Sequence, residues 1–147
     1  MKEKVLARSA YINDGRLRFI QTISIGPHSL TADEPFDGGG SDAGPNPYEL
    51  LLAALGSCAS ITVRMYAERK QWPLEGVRVA ASWGRVHDED CAACDSELEM
   101  ADGIELELSF LGDLSKQQRL RMIEIANRCP VHRTLSAQIP ILTRLAR

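Results

Sequence analysis

The sequence predicts an α+β fold in which an antiparallel sheet packs on a long central helix. Three observations support this class. Several short segments alternate apolar and polar residues, one long segment after residue 46 is apolar on nearly every side, and the order of elements is strands, helix, strands, helices and a final strand. The 147 residues match the usual size of one domain, about 100–150 residues. We therefore expect a single domain over residues 1–147.

The first elements are predicted to be strands. Residues 17–25 alternate apolar and polar side chains, and turn signals flank them at residues 13–15 and 26–27. This pattern favours a meander of short antiparallel strands. Residues 33–47, DEPFDGGGSDAGPNP, contain a triple glycine and three prolines, so they form a loop that could act as a flap over a site.

The central helix has a clear start. Asn46 suits the N-cap, and Pro47 suits the first helical position, where the N–H that proline lacks is not needed. The residues that follow are apolar on nearly all sides until about Met65, and the pair Trp72-Pro73 ends the helix. A helix that is apolar all round is buried all round. We therefore expect it between a sheet and another helix.

The second half of the chain supplies the remaining elements. Residues 76–86 and 104–110 alternate as neighbouring strands of a half-exposed sheet. Ser115 caps a second helix over residues 115–128, whose predicted apolar stripe is Leu120, Ile123 and Ala126. Residues 131–137 form a short helix. Residues 138–145, QIPILTRL, are predicted to close the fold as an edge strand, since Pro140 cannot donate to a ladder.

Composition and charge exclude several classes of protein. The chain has seventeen Lys and Arg residues and twenty Asp and Glu residues, which gives a net charge of −3. No overall positive field therefore attracts nucleic acid. The first fifteen residues lack the apolar core of a secretory signal. The longest apolar stretch, residues 50–55, is shorter than the roughly 20 residues of a membrane span. We expect a cytoplasmic protein whose thiols are kept reduced.

Two of the four cysteines are solitary and lie in distinctive settings. Cys129 precedes Pro130 and is predicted to cap a new helix, where a thiol tends to have a lowered pKa and His132 and Arg133 add positive charge. Cys58 lies in the central helix among small residues that allow close approach. The alternative for each is a buried cysteine that only fills space. If the two meet, they form a dithiol.

The other two cysteines predict a different chemistry. His87, Cys91 and Cys94 form H-x-x-x-C-x-x-C, three soft ligands for zinc, with the fourth supplied by an acid, a water or another chain. The alternative is an exposed loop with incidental thiols. A metal-binding or redox-sensing protein is thus one functional hypothesis. A non-catalytic module that binds a hydrophobic ligand is another.

Two longer segments carry a family resemblance. Residues 44–67, GPNPYELLLAALGSCASITVRMYA, and residues 127–135, NRCPVHRTL, resemble the OsmC/Ohr family of osmotically inducible and organic hydroperoxide resistance proteins. The resemblance implies an intertwined homodimer with the cysteine-bearing helices at its centre and two active sites at the subunit interface. It also implies a thiol-dependent peroxidase that protects against oxidative stress and requires no cofactor.

The same resemblance assigns roles to the cysteines. Cys58 corresponds to the peroxidatic cysteine, which attacks an organic hydroperoxide and becomes a sulfenic acid. Cys129 corresponds to the resolving cysteine, which condenses with it to a disulfide. A dithiol reductant, lipoyl-type in the better-known members, then restores both thiols.

The supporting residues depart from the family pattern. Members with established activity place a glutamate directly after N-P, ten residues before the first cysteine, and an arginine in the N-terminal part. Here Tyr48 follows Asn46-Pro47, and the carboxylate of Glu49 comes one residue later. Nine residues along an unbroken helix place Glu49 about 180° from Cys58, so it would need a helix break or a partner chain. Among the N-terminal arginines, Arg16 and Arg18 lie in the corresponding region, and we take Arg18, Glu49 and His132 as supporting residues.

Overall fold

A computed structural model describes residues 8–87 and 100–146 of the protein. Contacts between residues divide the chain into two compact units, one ending at Leu51 and one beginning at Leu52. The strands and helices confirm the predicted α+β class. The elements are β1 (Ala10–Asp14), β2 (Gln21–Ile25), β3 (His28–Ala32), α1 (Pro47–Arg69), β4 (Gly76–His87), β5 (Met100–Leu111), α2 (Lys116–Ala126) and α3 (Pro130–Leu135).

The first unit contains a three-stranded antiparallel meander in the order β1-β2-β3. Ile12 lies opposite Ile23, and Ile23 lies opposite Leu30. The meander confirms the prediction, but the predicted strand at residue 17 starts only at residue 21. Arg16 and Arg18 have φ angles of 62° and 56°, a left-handed backbone that a strand cannot adopt.

The loop after β3 is held by backbone contacts. It contains a short 3-10 helix at Phe36–Gly38, and the N–H of Asp33 donates to the carbonyl of Pro45 across it. A Cβ atom on Gly44 would lie 2.2 Å from the carbonyl oxygen of Thr31. Only glycine allows the loop to approach the end of β3 this closely.

Helix α1 begins at Pro47, as predicted. The side-chain oxygen of Asn46 accepts the N–H of Glu49 at 2.9 Å, and the Glu49 carboxylate accepts the N–H of Asn46 at 2.8 Å. These reciprocal bonds form a capping box, which satisfies two of the N–H groups left free at a helix start.

The prediction that α1 is buried on all sides is wrong for the single chain. Its buried residues lie on one stripe four residues apart, at Leu55, Ala59, Val63 and Ala67. Ile61 and Met65, on another face, are 58% and 59% exposed. The described chain supplies cover for only one side of the helix. By length and hydropathy alone α1 would pass for a membrane span, a test that the core helices of soluble proteins also pass.

Strands β4 and β5 form an antiparallel hairpin, with Gly76 opposite Leu111 and His87 opposite Met100. Partly buried side chains of this hairpin, Val77, Ile104, Leu106 and Leu108, pack on the same core as the buried stripe of α1. Gly56 brings α1 close to the sheet, since a Cβ there would lie 3.6 Å from the side chain of Val79. A sheet packed on a long helix is therefore confirmed. Both strands are longer than predicted, because the two pair with each other along their whole length.

Helices α2 and α3 have the predicted starts. Ser115 caps α2 in a capping box with Gln118, and Cys129 caps α3. The predicted stripe on α2 is wrong in part, because Leu120 and Ile123 are 58% and 37% exposed. The buried residues of α2 are instead Met122, Ile125 and Ala126.

The predicted edge strand at residues 138–145 is also wrong. Residues 138–146 have no strand structure, and Ile141, Leu142 and Leu145 are 82–95% exposed. A strand needs a neighbour for its backbone hydrogen bonds. No strand among residues 8–87 and 100–146 pairs with this segment.

Two arginines tie down the base of the β4–β5 hairpin. On one side, Arg64 of α1 donates to the carbonyls of Leu74 and Glu75, just before β4. On the other side, Arg119 of α2 donates to three carbonyls at the end of β5 and in the turn after it, those of Phe110, Gly112 and Leu114. Each guanidinium replaces water at carbonyls that the ladder leaves free.

Candidate active site

The structure brings the two solitary cysteines together. Cys58 lies in the middle of α1, and Cys129 lies at the start of α3; both thiols are free. Cys58 packs against the buried cluster that contains Cys129, and its thiol raises the pKa of Cys129. Cys58 is half-buried, whereas Cys129 is fully buried in the core of the second unit. The two thiols are therefore neighbours in the core of the second unit, as a dithiol requires.

Local sequence fixes the position of Cys129. Pro130 takes the first helical position of α3, and Cys129 has the extended backbone of an N-cap, with φ −62° and ψ 145°. Its Sγ atom accepts the backbone N–H of His132 at 3.3 Å. The thiol thus occupies the place where serine or aspartate more often caps a helix.

The expected lowering of the Cys129 pKa is wrong. Burial raises the pKa of this thiol, and the neighbouring Cys58 thiol raises it further. Backbone N–H groups of His132 and Val131 lower it, but they do not compensate. Loss of hydration disfavours the charged thiolate more than two N–H groups favour it. Cys129 is therefore a neutral thiol at neutral pH.

The contacts of His132 differ from those expected. Its backbone N–H contacts the thiol of Cys129, while its ring nitrogen Nδ1 lies 3.5 Å from the hydroxyl of Ser136. The ring is partly buried. The described contribution of His132 to the thiol is therefore a backbone dipole.

Glu49 and Arg18 belong to the first unit. The carboxylate of Glu49 serves the capping box at the start of α1. The guanidinium of Arg18 lies 5.3 Å from the centre of the Phe19 ring and acts electrostatically on Asp33. Within this unit, these are the described contacts of the two predicted supporting residues.

Asp33 is the buried acid that sequence reasoning missed. Its carboxylate is 2% exposed and accepts N–H groups from three loop residues, Glu34 at 2.8 Å, Ser41 at 2.9 Å and Ala43 at 3.2 Å. Burial alone would raise the pKa of Asp33, but these three bonds and the charge of Arg18 lower it below its ordinary value. A signal was present, since the aspartate directly follows a strand and precedes a glycine-rich loop with free N–H groups.

Of the three predicted zinc ligands, only His87 lies among the described residues. His87 is the last residue of β4, and Cys91 and Cys94 lie outside the described residues. Within residues 8–87 and 100–146, no group of three or more potential ligands could hold a metal ion. The zinc site stays a prediction.

Comparisons with known proteins agree on one fold. A family model described as OsmC-like protein matches residues 38–144. An organic hydroperoxide resistance protein OsmC from Legionella pneumophila has 19% identity and a TM-score of 0.66, covering 90% of this chain and 91% of that one. An OsmC-like protein from Mycoplasma pneumoniae has 19% identity and a TM-score of 0.68, covering 92% and 89%. The organic hydroperoxide resistance protein OhrB of Bacillus subtilis has 16% identity and a TM-score of 0.59, covering 88% and 90%.

At these identities the structural likeness concerns the fold. A comparison with curated protein sequences gives no match.

Proposed function

The chain belongs to the OsmC-like protein family, and on that premise we propose that it is a thiol-dependent peroxidase that reduces organic hydroperoxides. The observation that carries the proposal is the proximity of two free thiols of different burial, Cys58 packing against the cluster that contains Cys129. Cys58 is the more accessible of the two, and the pKa of Cys129 is raised. Cys58 is therefore the peroxidatic cysteine, and Cys129 is the resolving cysteine.

The reaction has three steps. The Cys58 thiolate attacks the terminal oxygen of the hydroperoxide, the O–O bond breaks, and an alcohol leaves after taking up a proton. The sulfenic acid on Cys58 then condenses with Cys129, which forms an S–S bond and releases water. A dithiol reductant, lipoyl-type or another, exchanges with the disulfide and restores both thiols.

The burial of Cys129 keeps it out of the first step. A neutral thiol does not compete for the peroxide, because the thiolate is the nucleophile. For the second step, Cys129 lies in the cluster against which Cys58 packs, close to the sulfur that becomes oxidised. Two of the solved structures with this fold are named for organic hydroperoxide resistance, which supports the same class of substrate.

The proposed active form is a homodimer. Ile61 and Met65 leave an apolar face of α1 open, and the tail residues Ile141, Leu142 and Leu145 are also open. Burial of such surface against a second copy would be favourable, by about 25 cal/mol for each Å². Light scattering should give twice the chain mass of 16.2 kDa, and a monomer at micromolar concentration would contradict the dimer.

Peroxide consumption tests the chemistry. With cumene hydroperoxide and dihydrolipoamide, the Cys58→Ser variant should lose all turnover. Without added reductant, the Cys129→Ser variant should consume about one equivalent of peroxide and retain a sulfenic acid on Cys58, whereas the wild type should form the Cys58–Cys129 disulfide. The Cys91→Ser/Cys94→Ser double variant is the matched control and should turn over like the wild type. Full turnover in Cys58→Ser would contradict the proposal.

The same preparation tests the alternatives. Elemental analysis of protein purified without chelator would show about one zinc per chain if His87, Cys91 and Cys94 bind metal, and the double variant would show none. A protein that only binds a hydrophobic ligand would leave Cys58 unreactive towards both peroxide and alkylating agents.

A further inference from the structure

A cleft of about 640 Å³ lies in the second unit. Its walls come from the end of α1, the residues just after it, and one face of α2. The lining residues that carry its chemistry are Tyr66, Lys70, Trp72, Leu120, Arg121 and Glu124. None of them belongs to the thiol chemistry proposed above.

The aromatic side chains give this cleft an ordered wall. The rings of Tyr66 and Trp72 meet edge to face, with centroids 5.4 Å apart and an interplanar angle of 78°. Such a pair is a favoured geometry for aromatic side chains. Leu120, which is 58% exposed, adds an apolar surface on the α2 side. The cleft therefore has apolar surface for the body of a ligand.

Two cationic side chains lie near the ring of Tyr66. The guanidinium of Arg121 lies 5.8 Å from the ring centre and the ammonium of Lys70 lies 5.9 Å from it. Arg121 also forms an ion pair with Glu124. Among the residues that the structure describes, Lys70 has no carboxylate partner, which leaves one lining cation uncompensated.

The phenol of Tyr66 has a hydrogen to donate. Arg121 Nε donates to the phenolic oxygen at 3.4 Å, so the O–H of Tyr66 is free to point at a ligand. Hydrogen bonding from Arg121 lowers the pKa of Tyr66 against the effect of burial, and the charges of Arg121, Lys70 and Arg69 lower it further. A more acidic phenol is a stronger hydrogen-bond donor towards an anion.

We propose that this cleft binds a small organic carboxylate with an apolar body. The carboxylate would accept from the Tyr66 hydroxyl and the Lys70 ammonium, and the body would lie against Trp72 and Leu120. Two lining cations and one lining carboxylate leave a net charge of +1, which suits a monoanion better than a phosphate dianion. Neither Cys58 nor Cys129 lines the cleft, so the site is separate from the proposed peroxidase chemistry.

Benzoate is the probe for this proposal. Calorimetry or NMR titration of the full chain should give saturable binding with a Kd of about 1 mM, as expected for a ligand of this size. Lys70→Gln and Tyr66→Phe should each weaken binding by roughly tenfold, since each removes a charge-assisted hydrogen bond. Benzyl alcohol, the uncharged analogue, should bind at least about tenfold more weakly.

The controls separate this site from general charge and from the peroxidase. Lys116→Gln removes a lysine of α2 that does not line the cleft, and it should bind benzoate like the wild type. Cys58→Ser should also bind benzoate unchanged. The proposal is overturned by no saturable binding up to about 20 mM benzoate, by equal affinity in Lys70→Gln, or by tighter binding of phenyl phosphate.

Discussion

Asp33 and Cys129 are two buried acidic groups in similar surroundings, but their pKa values shift in opposite directions. Both side chains are at most 2% exposed, and both accept backbone N–H groups at the start of a turn or helix. In both, burial is the largest influence and raises the pKa. Yet the pKa of Asp33 is lowered overall and that of Cys129 is raised.

The difference lies in the donors and in the neighbouring charge. Asp33 accepts three N–H groups on two compact oxygens and lies near the cation Arg18. Cys129 accepts on one large sulfur, at 3.3 Å, and its neighbour is another thiol, Cys58. Backbone dipoles therefore do not by themselves create a reactive thiolate. They must be numerous enough, or joined by a cation, to offset the loss of hydration.

The largest expected effect concerns the reactivity of the two thiols. In reduced protein at pH 7, iodoacetamide should modify Cys58 at least about 100-fold faster than Cys129, since a buried neutral thiol reacts only when the structure opens. Peptide mapping by mass spectrometry gives both rates. In urea the two rates should converge, and a native Cys129 that reacts first would break the comparison.

The next effect concerns the charge of Asp33. Asp33→Asn should lower Tm by several degrees at pH 7, because one amide oxygen cannot replace a carboxylate that accepts three N–H groups. The folded pKa of Asp33 is below its unfolded value, so its contribution is complete above about pH 5 and disappears as the pH falls below about 4. The Tm difference from wild type should shrink over that range. Asp37→Asn, in the same loop, is the control and should leave Tm nearly unchanged.

Cys129 should show the opposite dependence on pH. Its folded pKa is above its unfolded value, so the stability linked to the neutral thiol is complete below about pH 8.5 and is lost at higher pH. The midpoint of urea unfolding, measured under reducing conditions, should fall more steeply above pH 8.5 for wild type than for Cys129→Ala. Parallel curves would show that the buried thiol does not titrate as described.

The smallest effect concerns Arg18. Its charge is the last of the influences that lower the pKa of Asp33. Arg18→Gln should therefore raise that pKa slightly and leave it below the ordinary carboxyl value. Carbon-13 NMR of the Asp33 carboxylate measures the change, with Arg16→Gln as the matched control. A shift as large as that caused by loss of the N–H bonds would mean that the cation, not the backbone, sets the charge.

Local signals in the sequence were sufficient where the structure is local. Asn46-Pro47, Ser115 and Cys129-Pro130 each predicted a helix start, and each start is observed. A cap needs only the few residues around it, so neighbouring sequence determines it. The pairing of Cys58 with Cys129 as a redox pair came from the family resemblance and stays a prediction, while the structure places Cys58 against the cluster that contains Cys129.

Features that depend on tertiary packing were not predictable in this way. The direction of the Cys129 pKa follows from complete burial, which nothing near residue 129 specifies. The exposed faces of α1 and the unpaired tail at residues 138–145 look apolar or strand-like in sequence, but burial and strand pairing need a partner surface. Asp33 carried a local signal at the strand end before the glycine-rich loop, but the fold of that loop decides which three N–H groups reach its carboxylate.

The arginine clamps at the base of the β4–β5 hairpin have a mechanical consequence. Arg64 and Arg119 fix one end of a ribbon whose twelve-residue strands extend for roughly 35–40 Å. The hairpin is anchored at the pair Gly76 and Leu111, and the pair His87 and Met100 is at its other end. A tilt of a few degrees at the anchored end displaces the pair at the other end by about 2 Å over the length of the hairpin. The carbonyls to which the two arginines donate therefore influence the position of the His87–Met100 pair.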